Sequence, residues 1–191
     1  MNELFSKRFL YYKSLADAAF EQISEEDFFW KYNEESNSIA IIVQHIAGNM
    51  LSRWTNFLVE DGEKPWRNRD REFENTFATK NELIDYWEKG WACLLHALQK
   101  INDDNLETEI FIRGEKYTVM DAVLRQLAHY PYHIGQIIYI AKMRKNTSWK
   151  SLSIPRNQSA LYNQQMKDSL NDSASPVCYS QDKDIRDEYK S

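Results

Sequence analysis

Residues 124–136 read LRQLAHYPYHIGQ and contain two of the four histidines of the chain, His129 and His133. The two histidines are four positions apart, so on a helix both imidazoles lie on one face, one turn apart. This spacing allows two neutral nitrogen ligands to reach one metal ion from a single helix. A third histidine, His45, lies far upstream in another apolar, helix-like run. We therefore predict that helices from the two halves of the chain meet around a metal ion.

The histidine pair also has a plainer interpretation as ordinary polar core residues that hydrogen-bond to carbonyls. The flanking residues are apolar, which favours a metal because buried imidazoles need partners. Pro131 stands between the two histidines and predicts a kink in the helix. The kink either rotates the helical turns of His129 and His133 relative to each other, or it only fits the helix around the core. The pair is not a zincin motif, because Tyr130 occupies the position of the catalytic glutamate in His-Glu-x-x-His.

The composition is typical of a globular, helical protein. The chain has 191 residues, of which 42% are hydrophobic, and it contains only five glycines and four prolines. Its net charge of -5 gives no reason to expect nucleic acid. No apolar run approaches the roughly 20 residues that span a bilayer, so we expect no membrane partner. Cys93 and Cys178 are too few for a disulfide framework, and no secretion signal is recognised, so we expect a cytoplasmic protein.

Apolar periodicity predicts four long helices, at residues 3–22, 38–60, 81–101 and 119–145. Ser24–Asp27 resembles a capping box and predicts a short helical turn. Residues 61–79 form a long polar connection, which we interpret as a solvated crossover that joins helices 2 and 3 across the bundle rather than in a hairpin. Residues 107–119 alternate in polarity and predict a small β-hairpin before helix 4. The predicted fold class is all-α, with one domain at residues 1–170 and a polar, mobile tail at residues 171–191.

Two residues that follow His45 are candidates for a catalytic role. Asn49, one turn along, could hydrogen-bond to a metal-bound water or a substrate carbonyl, or form a helix-packing hydrogen bond. Arg53, a further turn along, could bind a substrate carboxylate or form a salt bridge to the acidic crossover. Gln136 could orient either histidine of the pair. No acidic residue is recognised on the ligand faces, and His96 is interpreted as structural or surface-exposed.

Several stretches occur in an order that a known group of proteins shares. They are VQHIAGNM (residues 43–50), Arg53-Trp54, DGEKPWRNRD (residues 61–70), HYPYHIGQ (residues 129–136) and LSIP (residues 152–155). The two histidine-containing stretches resemble the DinB-like superfamily. The others are similar to an uncharacterised bacterial branch of it, which is related to bacillithiol- and mycothiol-dependent S-transferases. The resemblance covers about residues 1–166.

The resemblance implies a four-helix bundle that binds one divalent metal ion, usually zinc, nickel or iron, through His45, His129 and His133. It also implies a homodimer. Three neutral imidazoles leave the charge of the ion uncompensated, which favours a thiolate or hydroxide as a further ligand. We therefore expect a metal-dependent thiol S-transferase that activates a low-molecular-weight thiol, or water, towards a small-molecule substrate. A metal-dependent hydrolase and a non-catalytic metal- or ligand-binding bundle remain open.

Overall fold

The computed structural model describes residues 2–172. The chain divides into two compact units, Met1–Asn146 and Thr147–Ser191. Within the described residues it forms six α-helices and one two-stranded sheet, which confirms the predicted, mostly helical character. None of these helices is long and apolar enough to cross a membrane. The predicted tail lies outside the described residues from residue 173 on, so the boundary near residue 170 stays a prediction.

Capping side chains fix where the helices of the first unit begin. These helices are α1 (Asn2–Gln22), α2 (Glu25–Phe29), α3 (Ile39–Trp54), α4 (Lys80–Gln99) and α5 (Val119–Lys145). The predicted capping box is confirmed, because Ser24 and Asp27 each accept a hydrogen bond from the backbone of the other. Ser38 caps α3 and Thr118 caps α5, each by accepting a hydrogen bond from a backbone amide of the first turn. In the second unit, α6 spans Ser159–Asp172.

Helix α3 is shorter than predicted, because it ends at Trp54 rather than near residue 60. Thr55 has extended backbone angles, and its hydroxyl donates to the carbonyl of Leu51 at 2.7 Å. Asn56 then adopts a φ of 49°, in the left-handed region that asparagine tolerates better than most residues. The apolar residues beyond Trp54 continued the helical pattern in the sequence, although the backbone had already turned.

The four long helices contact one another in pairs: α3 packs on α4 and α5, and α1 packs on the same two helices. A Cβ on Gly90 of α4 would lie 2.9 Å from the Cα of Ala47 in α3. Three residues further along each helix, the Cys93 thiol donates to the carbonyl of Met50. Because both contacts advance together, α3 and α4 run in the same direction. They are direct neighbours but not a hairpin, so their connection returns along their length.

Tyr130 ties the four long helices together at the centre of the core. Its ring lies 5.9 Å from Phe9 of α1 and 6.3 Å from Trp91 of α4, between ring centroids. Its hydroxyl accepts a hydrogen bond from Trp54 Nε1 at 3.2 Å and donates to Asn49 Oδ1 at 3.1 Å. These contacts fix the depth and rotation of α5, and with them the positions of the neighbouring histidines.

The predicted β-hairpin is confirmed, with β1 (Glu109–Ile112) antiparallel to β2 (Glu115–Thr118). Arg113 and Gly114 form its turn, with φ angles of 57° and 74°. Two central residues with positive φ match the right-handed twist of the strands. The Asp61 carboxylate accepts hydrogen bonds from both turn amides, at 2.8 Å and 2.7 Å. The hairpin is therefore anchored to the connection between α3 and α4.

That connection is not the solvated crossover predicted from its charges. It contains a 3-10 helix at Asp70–Phe73, within which Glu72 is buried. Gln44 of α3 holds this segment, because its Nε2 donates to the carbonyls of Arg71 at 2.7 Å and Glu74 at 3.1 Å. The connection thus brings a carboxylate against α3, on the part of the helix that carries His45.

Candidate metal centre

His45 is buried in the middle of α3, with a relative exposure of 5%. Its Nδ1 lies 2.9 Å from Oε2 of Glu72. An ionised carboxylate only accepts hydrogen bonds, so Nδ1 carries a proton, and in the neutral imidazole Nε2 is then the nitrogen with the lone pair. The Phe73 ring stacks on the imidazole, with centroids 5.1 Å apart. Two neighbouring residues of the connection therefore fix both the tautomer and the orientation of His45.

His129 and His133 lie one turn apart on α5, which continues as a helix through Pro131. Nδ1 of His129 lies 3.1 Å from Oε1 of Gln126, and Nδ1 of His133 lies 2.8 Å from Oε1 of Gln136. Amide oxygens also only accept, so both Nδ1 atoms donate and both Nε2 atoms keep their lone pairs. Gln136 therefore orients His133. Gln126, which the sequence analysis did not single out, does the same for His129.

The three imidazoles converge where α3 meets α5. One ring nitrogen of each lies within 4.8 Å of the others, and Nε2 of His129 is 3.1 Å from Nε2 of His133. With metal–nitrogen bonds of about 2.0–2.1 Å, two ligand nitrogens are about 2.9 Å apart at a right angle and about 3.3 Å apart at a tetrahedral angle. The separation in the His129–His133 pair falls within this range. Two facing lone pairs repel, and a cation between them removes the repulsion, so the donor set fits a metal ion.

The electrostatics keep the α5 pair neutral. Burial, followed by the positive charges that His133 and His45 would carry if protonated, lowers the pKa of His129 to about 3. Arg125 and Arg53 contribute to the same effect. Burial also lowers the pKa of His133, against the opposing effect of its hydrogen bond to Gln136. Neutral imidazole is the form that binds metal ions, so no proton has to leave His129 or His133 before binding at neutral pH.

Glu72 links His45 to a buried arginine. Arg67 donates from Nε to Oε1 of Glu72 at 2.7 Å and from Nη2 to Oε2 at 2.9 Å. Burial raises the pKa of Glu72, but the hydrogen bonds from His45 and Arg67 outweigh it and lower the pKa overall. The carboxylate is therefore ionised with both oxygens engaged. Arg67 also donates to Glu63, which accepts from Arg113, so the network reaches the hairpin turn.

Glu72 was not predicted from the sequence, because it reaches His45 from the connection and not from either helix that carries the histidines. Glu72 and His45 are 27 positions apart, and their contact depends on the path of the connection. The only signal in the sequence is the interleaving of acidic and basic residues after residue 60. That pattern fits an exposed loop equally well.

Gly48 makes room for the Glu72 carboxylate. A Cβ on Gly48 would lie 2.6 Å from Oε1 of Glu72 and 3.3 Å from the hydroxyl of Tyr86. A glycine inside an apolar helix generally indicates close approach of another backbone or room for a ligand. The close backbone approach occurs instead at Gly90. The missing side chain at Gly48 lets Glu72 reach His45 and Arg67 together.

The two catalytic candidates are both buried on α3 but differ in their partners. Asn49 Oδ1 accepts from Tyr130, so this oxygen takes part in helix packing. Arg53 has a relative exposure of 4%, and its Nε and Nη1 have no hydrogen-bond partner. Neither of these nitrogens forms the salt bridge to the acidic connection that the sequence left open.

The remaining nucleophilic and imidazole side chains of α4 lie outside the cluster. His96 is exposed on α4, and among the described residues the group able to hold a metal consists of the other three histidines. The Cys93 thiol lies against α3, 3.5 Å from the Thr55 hydroxyl. His96 therefore offers a control for experiments on the cluster.

The fold and site define a mostly helical protein with three converging histidines. Residues 2–158 match the family described as "Protein of unknown function (DUF1572)", and the chain belongs to this family. The family is DinB-like, in agreement with the resemblance seen in the sequence. No curated protein sequence matches the chain.

Proposed function

We propose that the protein binds one divalent metal ion, zinc, nickel or iron, through His45, His129 and His133. One observation carries the proposal: each Nδ1 donates to a carboxylate or amide oxygen, which leaves the three Nε2 atoms as the ligands. Hydrogen bonds of this kind fix the tautomer and orientation of metal-binding histidines. A DinB-like four-helix bundle, as the resemblance implies, would place the ion between facing helices.

Metal analysis of the purified protein tests this proposal. We expect about one divalent ion per chain in the wild type, and loss of most of it in His129→Ala. His96→Ala is the matched control, because it removes an exposed imidazole outside the cluster and should keep the full metal content. Full metal content in His129→Ala would contradict the ligand assignment.

We further propose that the protein is a metal-dependent thiol S-transferase. When bound, the ion would supply Lewis acidity, which lowers the pKa of a thiol or of water. The ligand set contains three neutral imidazoles and no carboxylate, which favours an anionic sulfur as a further ligand. Both oxygens of Glu72 are engaged, so this residue holds His45 in place and does not act as a base for water. This favours thiol transfer over hydrolysis.

The transfer is tested with the metal-loaded protein, a panel of low-molecular-weight thiols and a chlorodinitrobenzene electrophile. The thiol sulfur bonds to the ring carbon, chloride leaves with the electron pair of the bond that breaks, and the thiol proton passes to solvent. We expect thiol-dependent turnover that His129→Ala abolishes and His96→Ala retains. Turnover of a nitrophenyl ester without thiol would favour a hydrolase. Metal binding without either activity would favour a non-catalytic metal-binding protein.

We also propose that two copies associate through the outer face of α5. Exposed apolar residues recur on this face at helical spacing, namely Leu124, Tyr132, Tyr139 and Met143. Such a stripe is typical of a helix that packs against a second helix. Light scattering should show a dimer for the wild type and a monomer for Tyr139→Glu. An unchanged mass for Tyr139→Glu would exclude this face.

A further inference from the structure

Arg53 is a buried cation whose hydrogen-bonding capacity is largely unused. Its relative exposure is 4%, and two of its three guanidinium nitrogens, Nε and Nη1, have no hydrogen-bond partner. Burial lowers the pKa of Arg53, but the guanidinium stays protonated. A buried charge without partners costs folding free energy, and an anion that binds to it recovers that cost.

The carboxylates whose charges act on Arg53 are hydrogen-bonded to other groups. Asp61 and Glu63 are close enough for their charges to interact with Arg53. The oxygens of Asp61 accept from the backbone amides of Glu63, Arg113 and Gly114. Oε2 of Glu63 accepts from Arg67 and from the side chain of Arg113. These carboxylates balance part of the charge, but they leave Nε and Nη1 of Arg53 without an acceptor.

Arg53 lies within electrostatic range of the three-histidine cluster. A Cβ on Gly62 would lie 2.9 Å from Cδ and 3.0 Å from Nη1 of Arg53, so this glycine gives the side chain its space. Arg53 is close enough to His129 for its charge to act on that imidazole. Arg125, which is exposed and one turn before His129 on α5, adds a second positive charge. The surroundings therefore favour a negatively charged ligand.

We propose that Arg53 binds the carboxylate of a small molecule whose other end occupies the three-histidine site, so that the thiol or its co-substrate is a carboxylic acid. This inference rests on the proposed function and adds the chemical class of the ligand. His45 and Arg53 are eight residues apart, about 12 Å along the helix axis. This is the separation of the two backbone positions, and the Arg53 side chain, the His45 side chain and the ligand would span it together, with the carboxylate at one end of the ligand. A planar guanidinium suits a carboxylate better than an ammonium group does.

Calorimetric titration of the metal-loaded full-length protein with ω-mercaptocarboxylates tests this proposal. The series is mercaptoacetate, 3-mercaptopropionate and 4-mercaptobutyrate, each compared with its neutral amide. We expect at least one acid to bind about tenfold or more tightly than its amide, which is the lower end for a hydrogen bond to a charged group. In Arg53→Gln, the affinities for each acid and its amide should lie within about twofold of each other. Arg53→Lys should restore part of the preference for the acid. Equal binding of every pair by the wild type would overturn the proposal, as would a preference that survives in Arg53→Gln.

Two controls separate Arg53 from its surroundings. Arg125→Gln removes the exposed charge and should keep the acid preference, whereas loss of the preference in this variant alone would assign the effect to Arg125 and overturn the proposal. Arg53→Gln removes a charge without partners, so its melting temperature should equal or exceed that of the wild type. If Arg53→Gln is folded and equally stable but has lost the preference for the acid, Arg53 acts in binding, because a purely structural role would not change the preference.

A further arm separates failure of this inference from failure of the proposed function. Butyrate and butyramide carry no thiol, so a preference for butyrate that depends on Arg53 supports the anion site whatever the reaction. Cobalt-substituted protein reports sulfur binding through its charge-transfer absorption. Sulfur binding without acid preference contradicts the Arg53 inference and leaves the transferase proposal standing. Acid preference without sulfur binding supports the Arg53 inference and contradicts the transferase proposal.

Discussion

Replacing Gly48 with alanine should weaken metal binding without altering any ligand. The new Cβ would lie 2.6 Å from Oε1 of Glu72, so the carboxylate has to retreat by about 0.8 Å to reach the 3.4 Å of ordinary contact. The carboxylate is not free to do so, because Arg67 holds it at 2.7 Å and 2.9 Å and His45 at 2.9 Å. Retreat therefore lengthens the His45–Glu72 hydrogen bond and releases the imidazole from its orientation.

The magnitude follows from the role of Glu72. Loss of a partner that orients a metal-binding histidine typically lowers metal affinity by about 10- to 100-fold, and we expect about tenfold for the partial displacement in Gly48→Ala. The stability of the metal-free protein should change only modestly. Alanine in a helix interior gains about 1 kcal/mol over glycine, which offsets part of the roughly 1–3 kcal/mol cost of overpacking. The free energy of unfolding should therefore change by less than about 2 kcal/mol.

Competition with a chromophoric chelator measures the affinity, and urea unfolding of the metal-free protein measures the stability. Gly135→Ala is the matched control, because a Cβ there meets no atom within 4 Å although the residue is near His133. It should raise stability by about 1 kcal/mol and leave the affinity unchanged. Combining Gly48→Ala with Glu72→Gln should give less than the sum of the single effects, because both act through one carboxylate. Wild-type affinity in Gly48→Ala would refute the reasoning.

Three further predictions concern the packing, the metal and an ion pair. Gly90→Ala should destabilise the protein by about 1–3 kcal/mol in urea unfolding, because its Cβ would lie 2.9 Å from backbone of Ala47 that cannot rotate away. A chelator should lower the melting temperature of the wild type but not that of His129→Ala, since only a chain that binds the ion gains stability from it. Asp27 accepts from Arg144 at 2.6 Å; burial raises the pKa of its carboxyl, but this hydrogen bond and those from Ser24 lower it overall. Its stabilising effect is therefore present above the unfolded-state pKa of about 3.9 and is lost as the pH falls through the lower folded-state value. In acid unfolding, Asp27→Asn should consequently be less stable than the wild type at neutral pH and converge with it below about pH 4.

The sequence predicted the local structure well wherever the determining contacts join near neighbours. The Ser24–Asp27 box, the starts of the helices after Ser38 and Thr118, and the pairing of the two strands around Gly114 all join residues within ten positions of each other. The end of α3 was predicted less well. The apolar pattern continued past Trp54, and hydrophobic periodicity does not show where the backbone turns.

By itself, the sequence determined that His129 and His133 share one face of a helix, because a spacing of four fixes the geometry on any helix. Tertiary structure alone decided what surrounds them. The path of the connection brings Glu72 to His45 from 27 positions away, and the small volume of Gly48 allows that contact. The isolation of Arg53 was decided in the same way. Long-range packing decides which of the interleaved acidic residues bind groups other than Arg53. The order of charges along the chain does not encode this choice.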